Sequence, residues 1–238
     1  MTRWRLVIMN NKQVLLTKIN EKISVGIQEI GAIYDAVSWG DRWLYANWLA
    51  QTFYYTRHAT RVISWAAAKT PHSHEWIHLK LIQHIQEEKN HEELANHDLK
   101  NLGFSMEQFP EQASTTAYYG TLFYLLEHVS PLSLFGYFSI LEGLAINAGV
   151  KLNNYVESHY GKNTATFLKV HCKADVKHFE EDLAILEKFD ENELAAIEKS
   201  VELSINLYKN LMIELMDNCK LNKVLPIQTP FAPISMNQ

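Results

Sequence analysis

The sequence predicts an all-α fold, and three observations support this prediction. Apolar residues recur at helical spacing along most of the 238 residues, only 9 Gly and 6 Pro interrupt them, and no strand-rich stretch is evident. Capping signals divide the pattern into about seven helices. No low-complexity linker splits the chain, so we expect one helical domain over residues 1–238.

The helices are justified in order by their apolar spacing and their end signals. Asp41, Ser130 and Asp190 are predicted N-caps, Asn163 or Thr164 caps the sixth helix, and Gly103 and Gly161 end the helices before them. Residues 1–11 are expected to form an N-terminal arm, and residues 219–238 an extended C-terminal tail. The predicted helices span about residues 12–37, 42–69, 73–102, 110–128, 131–160, 164–188 and 191–218.

Composition limits the classes of function. The chain is 47% hydrophobic and 21% charged, with a net charge of -5 and no long basic run, which argues against nucleic acid as a partner. Only Cys172 and Cys219 are present, so a reducing, cytoplasmic location is expected. The apolar run in the first twelve residues is too short for a signal peptide, and charges break the other apolar runs, so no membrane span is expected. A small-molecule substrate is the expected partner, and a homodimer is compatible with the sequence.

The most informative stretch is 167–179, which reads FLKVHCKADVKHF. His171, Asp175 and His178 are spaced i, i+4 and i+7, which places them in one narrow stripe of a helix. Apolar neighbours make much of this segment core-like, and buried polar groups need partners. Two imidazoles and a carboxylate suit iron or manganese, although a solvated face with incidental histidines has the same spacing.

A second set of metal-ligand types lies on the predicted helix 73–102. Glu88 and His91 are i, i+3 neighbours, a spacing that di-iron carboxylate proteins use. Glu87 is an alternative to Glu88, because it lies at i, i+4 from His91. His84 lies one turn before Glu88 and is a candidate for the shell of residues around the ligands.

The third carboxylate is Glu142, which stands alone in an apolar run of the predicted helix 131–160. Burial of an unpaired carboxylate is costly, so Glu142 must be paired, protonated or metal-bound. Glu127 competes for this role but lies near a helix end and is expected to be solvated. The earlier pair Glu75 and His78 lies about 220° around the helix from the pair Glu88 and His91, and is expected to be exposed.

Six side chains from three segments therefore form the candidate site. Six ligands suit two iron ions with open positions, whereas one zinc ion would need only three or four. The stripe on the predicted helix 164–188 spans about 10 Å, so it gives one histidine to each ion. The candidate metal ligands are Glu88, His91, Glu142, His171, Asp175 and His178.

At these residues the chain resembles the heme-oxygenase-like di-iron oxidases, over roughly residues 40–215. That family has a Glu and a nearby His on one core helix, a lone Glu on the next, and His-x3-Asp-x2-His on a third. Here His171-Cys-Lys-Ala-Asp175-Val-Lys-His178 matches the last part in full. The resemblance implies a seven-helix, heme-oxygenase-like bundle. It also implies a non-heme centre of two Fe(II) ions, with O2 as co-substrate and a small organic molecule as substrate.

The resemblance leaves the substrate open. A free amino acid is favoured, including a tryptophan derivative that becomes a nitrile, and Arg57 or Arg61 is a candidate for holding its carboxylate. Aromatic residues of the predicted helix 42–69 are candidates for lining its pocket, namely Trp43, Phe53, Tyr54 and Tyr55. The alternatives are oxidative decarboxylation of a fatty acid, or a metal-independent, thiaminase-like hydrolase with a cysteine nucleophile. Cys172 lies about 100° from His171 around its helix and is expected to pack against a neighbour.

Overall fold

A computed structural model describes residues 11–224, and within this range the chain consists of helices joined by short turns. No strand occurs between residues 11 and 224, and the all-α prediction is confirmed. A π-helical turn, Ala145–Gly149, joins two of the helices directly. The α-helices are α1 Asn11–Ala36, α2 Arg42–Thr56, α3 Ala59–Lys69, α4 Glu75–Glu88, α5 His91–Asn101, α6 Ala113–His128, α7 Ser133–Leu144, α8 Val150–Tyr160, α9 Thr166–Leu186 and α10 Glu191–Val224.

Three of the predicted helices are interrupted. The chain breaks between α2 and α3, bends between α4 and α5, and adopts the π-helical turn between α7 and α8. Apolar spacing continues through each interruption, so periodicity does not reveal it. The last helix runs to Val224, beyond its predicted end, and Asn11 already belongs to α1. The rest of the predicted arm and tail lies outside the described residues.

The predicted caps of α2 and α10 are confirmed. Asp41 accepts hydrogen bonds from the backbone N–H groups of Trp43 and Leu44. Asp190 and Glu193 form a reciprocal pair, in which each side chain accepts from the other's backbone N–H. Such pairs satisfy donors that the first turn of a helix leaves free.

The predicted cap of α9 is wrong, because neither Asn163 nor Thr164 caps this helix. Asp98 of α5 does so instead: its carboxylate accepts from Thr166 Oγ1 at 2.5 Å and from the Phe167 backbone N–H at 2.8 Å. A carboxylate at a helix N-terminus interacts favourably with the helix dipole. This contact between helices fixes the start of α9 against α5.

The helix α7 lies at the centre of the bundle and packs against α1, α6, α9 and α10. Two glycines allow the close approach. A Cβ at Gly136 would lie 2.6 Å from the Ile197 carbonyl oxygen of α10, and one at Gly143 would overlap Ile27 of α1. The residue before Gly143 is Glu142, so this packing holds a carboxylate deep in the bundle.

One helical stretch in the described range, Ser133–Tyr160, is long and apolar enough to cross a membrane by length and composition alone. It comprises α7, the π-helical turn and α8. Its apolar window is 72% buried inside the bundle. Burial of this kind is what a core helix shows, so the stretch is weak support for a membrane span.

Candidate metal centre

Glu88 and His91 meet at the bend between α4 and α5. Glu88 ends α4, Asn90 takes a left-handed conformation at φ 67°, and His91 begins α5. Asparagine tolerates this conformation better than most residues. The sequence analysis expects the two residues on one helix, and this expectation is wrong. His91 Nδ1 nevertheless lies 3.3 Å from Glu88 Oε2.

This bend places both charges at unfavourable helix ends. A carboxylate at the C-terminus of α4 and an imidazole at the N-terminus of α5 each oppose the local helix dipole. Burial raises the pKa of the Glu88 carboxyl, but the nearby imidazoles of His84 and His91 outweigh burial and leave it below its usual range. The Glu88 carboxylate raises the pKa of His91. The charged form of Glu88 therefore depends on the imidazoles of His84 and His91.

On α9, the tautomer of His171 is set by the backbone. Its Nδ1 lies 2.8 Å from the Phe167 carbonyl oxygen, so Nδ1 carries the proton and donates it. The Nε2 atom is then free to accept a metal, an arrangement common among metal-binding histidines. The His171 ring faces the His91 ring, with centroids 4.9 Å apart.

Asp175 and His178 lie one and two turns after His171 on the same face of α9. Asp175 is buried, and its Oδ1 lies 3.6 Å from His178 Nδ1. The Asp175 carboxylate raises the pKa of His178. His178 Nε2 lies 3.2 Å from Glu87 Oε2, and the rest of the Glu87 side chain is exposed to solvent. Glu87 therefore contacts His178, and Glu88 contacts His91, so both carboxylates lie beside candidate ligands.

Glu142 points inward from α7, where it is 5% exposed and lines the same cavity as Glu88 and Asp175. Burial raises the pKa of the Glu142 carboxyl well above its usual range, and the nearby Asp182 and Asp175 raise it further. A buried carboxylate in this setting is stabilised by protonation or by a cation.

Sequence reasoning missed Asp182, which is 1% exposed and continues the α9 stripe one turn beyond His178. Burial raises the pKa of its carboxyl to about 6, although the nearby ammonium group of Lys80 counteracts this. Lys80 Nζ lies 3.7 Å from Asp182 Oδ1 and 2.8 Å from Glu181 Oε2. The continued i+4 spacing was the available signal in the sequence.

The side chains form two groups of three potential metal ligands. In each group, the ligand atoms of all three residues lie within 4.8 Å of one another. The first triplet is Glu88, His91 and His171, and the second triplet is His84, Glu88 and His178. The histidines of α9 fall into different triplets, as the sequence analysis expects, and Glu88 belongs to both. Asp175 and Glu142 lie beside the triplets.

Unpaired polar atoms show that this donor set suits a metal cation. Among the described residues, the buried Glu142 Oε2 has no hydrogen-bond partner, while His91 Nδ1 and His178 Nδ1 face Glu88 and Asp175 at 3.3 and 3.6 Å without hydrogen-bond geometry. Buried polar atoms are normally hydrogen-bonded, and each exception requires an explanation. Imidazole nitrogens and carboxylate oxygens are ligands that iron accepts, so these residues fit an iron site.

The triplets border a cavity of about 100 Å³, far more than one water molecule needs. Its lining is mostly aromatic and aliphatic. Among the described residues, no lysine or arginine lines it. Most of the aromatic lining comes from residues other than the four that the sequence analysis names: Tyr34, Trp48, Tyr119, Tyr137, Phe138, Phe167 and Tyr208.

The expectations for the aromatic helix are largely wrong. Of its four predicted lining residues only Tyr55 reaches the cavity. Trp43 packs on Phe109 instead, and the Tyr54 hydroxyl donates to the Phe109 carbonyl oxygen. One helix presents a single face to the cavity, and consecutive aromatic residues cannot share it.

The two candidate arginines also lie outside the cavity lining. Arg57 pairs with Glu111 at 2.6 Å and stacks on the Tyr54 ring. Arg61 is exposed and donates to the Arg57 carbonyl oxygen. Neither guanidinium is placed to hold a substrate carboxylate inside the cavity.

Cys172 packs against α7–α8, as expected, but it also lines the cavity. Its thiol donates to the Ala145 carbonyl oxygen in the π-helical turn, and Gly149 leaves it room. Burial raises the pKa of the Cys172 thiol to about 11. A thiol of this kind is almost entirely protonated at neutral pH and is a poor nucleophile.

The remaining candidates lie away from the cavity. Glu127 is exposed and pairs with Lys69 at 2.6 Å, which agrees with its expected solvation. Glu75 is exposed as well. His78 is half-buried rather than exposed, because its Nδ1 reaches the Ala67 carbonyl oxygen at 2.8 Å across the contact between α3 and α4.

Comparisons with known proteins agree with this fold and donor set. The family profile described as "Iron-containing redox enzyme" matches residues 46–209. A domain of unknown function with a heme oxygenase-like fold from Shewanella denitrificans superposes with a TM-score of 0.78, 19% identity and coverage of 94% of this chain and 99% of that one. A TenA homolog from Pseudomonas syringae pv. tomato superposes with a TM-score of 0.67 and 13% identity, covering 86% of this chain and 92% of that one. No curated protein matches the sequence. The chain therefore belongs to the iron-containing redox enzymes and has a heme oxygenase-like fold.

Proposed function

We propose that this protein is a non-heme di-iron oxidase, which uses O2 to oxidise a small organic substrate. The observation that carries the proposal is the pair of ligand triplets that share Glu88, of which His84, Glu88 and His171 line the cavity. A single ion would need only one triplet. Glu88, which belongs to both triplets, would help to hold both iron ions, with His91 and His171 holding one and His178 the other.

The remaining predicted ligands complete the set. Asp175 and Glu142 supply the further carboxylates, and both are buried beside the triplets. When bound, the iron ions supply the electrons that reduce O2 and the oxidising power that acts on the substrate. The carboxylates neutralise much of the ions' charge, which matters in a site that is shielded from water.

The protein's other residues orient the ligands and exclude water. The Phe167 carbonyl oxygen holds the His171 ring, and the Phe167 ring stacks on it with centroids 4.1 Å apart. Phe138 and Leu168 line the adjacent cavity wall. A dry, shaped cavity of this kind confines the reaction to the bound substrate.

The lining favours a substrate with a large apolar part. A free amino acid with an aromatic or aliphatic side chain, including a tryptophan derivative oxidised to a nitrile, remains our first candidate. Because no arginine or lysine of the described residues lines the cavity, its polar groups would face the ions. The same apolar lining favours a fatty acid as the second candidate.

The test is to load the protein with Fe(II) without oxygen and to measure iron per chain. Stopped-flow absorbance then follows exposure to O2 with and without free amino acids and fatty acids. We expect about two ions per chain and an optical change that depends on one substrate class. If no iron binds after supplementation, the proposal is wrong and the metal-independent hydrolase gains support.

A further inference from the structure

His84 takes part in the second triplet, although the metal-binding pattern of the sequence does not include it. It lies on α4 one turn before Glu88 and is 5% exposed. Its Nε2 lies 3.6 Å from Glu88 Oε1. Its ring stacks on Phe138 with centroids 5.0 Å apart, which fixes the ring plane.

The separation of the two imidazole rings is closely similar in the two triplets, although the interplanar angles are 75° and 37°. In the first, the His91 and His171 rings come from α5 and α9, and their centroids are 4.9 Å apart. In the second, the His84 and His178 rings come from α4 and α9, and their centroids are 4.8 Å apart. Both pairs stand on either side of Glu88.

These separations agree with two imidazoles on one ion. An imidazole nitrogen binds a divalent first-row ion at about 2.1 Å, so two rings at about 90–100° have centroids about 4.6–5.0 Å apart. The pair His84–His178 fits this range as well as His91–His171 does. No carboxylate other than Glu88 is needed to explain where His84 lies.

We propose that His84 is a seventh protein ligand, which binds through Nε2 to the same ion as His178. This rests on the proposed di-iron function. Each ion then has two imidazoles and shares Glu88. If Asp175 and Glu142 also bind near His178, the open positions lie mainly on the ion of His91 and His171. Substrate and O2 would then approach from the side of the cavity that Phe167 and Leu168 line.

A different role for His84 would leave another trace. As a positioning residue it would donate to Glu88 and orient that carboxylate without touching an ion. Such a residue affects metal affinity, commonly by about 10–100-fold, so affinity alone does not separate the roles. The separating measurement is the number of histidines bound to metal.

The experiment uses the full chain labelled with 15N-histidine and loaded anaerobically with Co(II). A ligated imidazole acquires a through-bond contact shift in the proton NMR spectrum, and an unligated one does not. We expect two Co(II) ions per chain and four contact-shifted histidines. In His84→Gln we expect three, with His91, His171 and His178 retained.

The matched control is His78→Gln on the same helix, whose imidazole bonds to Ala67 and lies outside both triplets. It should keep all four signals. Three contact-shifted histidines in the wild-type protein, or an unchanged count in His84→Gln, would overturn the assignment of His84 while leaving the di-iron proposal intact. Fewer than two ions in the wild type would overturn both. The wild-type count decides the matter even if a variant does not fold.

Discussion

Gln51 in α2 and Glu142 in α7 are both buried polar side chains, but they differ in their hydrogen-bond partners. Gln51 Nε2 donates to Asn47 Oδ1 and to the Pro110 carbonyl oxygen, while its Oε1 accepts from the Gln112 backbone N–H and from Thr115 Oγ1. Glu142 Oε2 is equally buried and has no hydrogen-bond partner in the described range.

The difference separates a structural polar group from a candidate ligand. A fully bonded buried network fixes the packing of its own helices and needs nothing further. An unpaired buried carboxylate costs stability in the metal-free protein. Such a cost persists where the group is needed for binding, so the unpaired region is where a ligand is expected.

The largest expected effect comes from the residue that both triplets share. Glu88→Ala should remove both iron ions, whereas His171→Ala should remove one, because it belongs to one triplet only. Iron per chain after anaerobic loading measures the difference, and circular dichroism checks that the helices survive. Glu75→Gln, at an exposed carboxylate at the other end of α4, is the control and should retain both ions. Two ions in Glu88→Ala would contradict the shared role of Glu88.

The second prediction tests the comparison itself through stability. Gln51→Leu leaves several buried partners unpaired and should lower the free energy of unfolding by about 2–4 kcal/mol. Glu142→Leu removes an unpaired carboxylate and should raise it by about 1–3 kcal/mol in the metal-free protein at pH 8, while abolishing binding of at least one ion.

Urea unfolding with a chelator present measures both values. The exposed Gln86 supplies the control, since Gln86→Leu should change stability by less than about 0.5 kcal/mol. A loss of stability in Glu142→Leu would show that the carboxylate has a partner without metal, and the comparison would fail.

The third prediction concerns pH. In the metal-free fold the pKa values of Asp182 and Glu142 are raised by burial, and those of His91 and His178 by their carboxylate partners. These four groups bind more protons in the folded state, so their contribution to the free energy of unfolding falls as pH rises. The lowered pKa of Glu88 opposes them only below about pH 5, where a glutamate in the unfolded chain binds a proton. The stabilisation from Asp182 is lost between about pH 4 and about pH 6, and the stabilisation from Glu142, His91 and His178 is lost at higher pH. The lowered pKa of His58 opposes this only partly.

We therefore expect the metal-free protein to be more stable at pH 5.5 than at pH 8, with Asp182 alone contributing about 1 kcal/mol, or roughly 2–4 °C in Tm. Thermal unfolding with a chelator across this range measures the slope. Metal binding displaces the same protons, so bound Co(II) should reverse the trend. A flat profile in the metal-free protein would contradict the inferred burial of these groups.

Parts of this site are predictable from sequence because they depend on one helix. The spacing of His171, Asp175 and His178 fixes their shared face, and Asp182 continues the same rhythm. The bend at Asn90 is not predictable from periodicity, since apolar spacing runs through it. The cap that Asp98 provides for α9, and the cavity lining, depend on how helices pack together. Such contacts between distant segments have no local signal.

The smallest expected effect is that of Cys172, and it decides between the two chemistries that this fold invites. The thiol lines the cavity, as a nucleophile would, but it is buried, donates to the Ala145 carbonyl oxygen and has a pKa of about 11. A nucleophilic cysteine needs a cationic partner or a helix N-terminus, which lower the thiol pKa.

Cys172→Ala should therefore keep two iron ions and change the rate of the O2-dependent absorbance change by less than about threefold, equivalent to about 0.6 kcal/mol. Cys172→Ser controls for the lost hydrogen bond. If either variant binds iron normally and loses all turnover, the cysteine takes part in the chemistry, and the metal-independent hydrolase becomes the better account of this cavity.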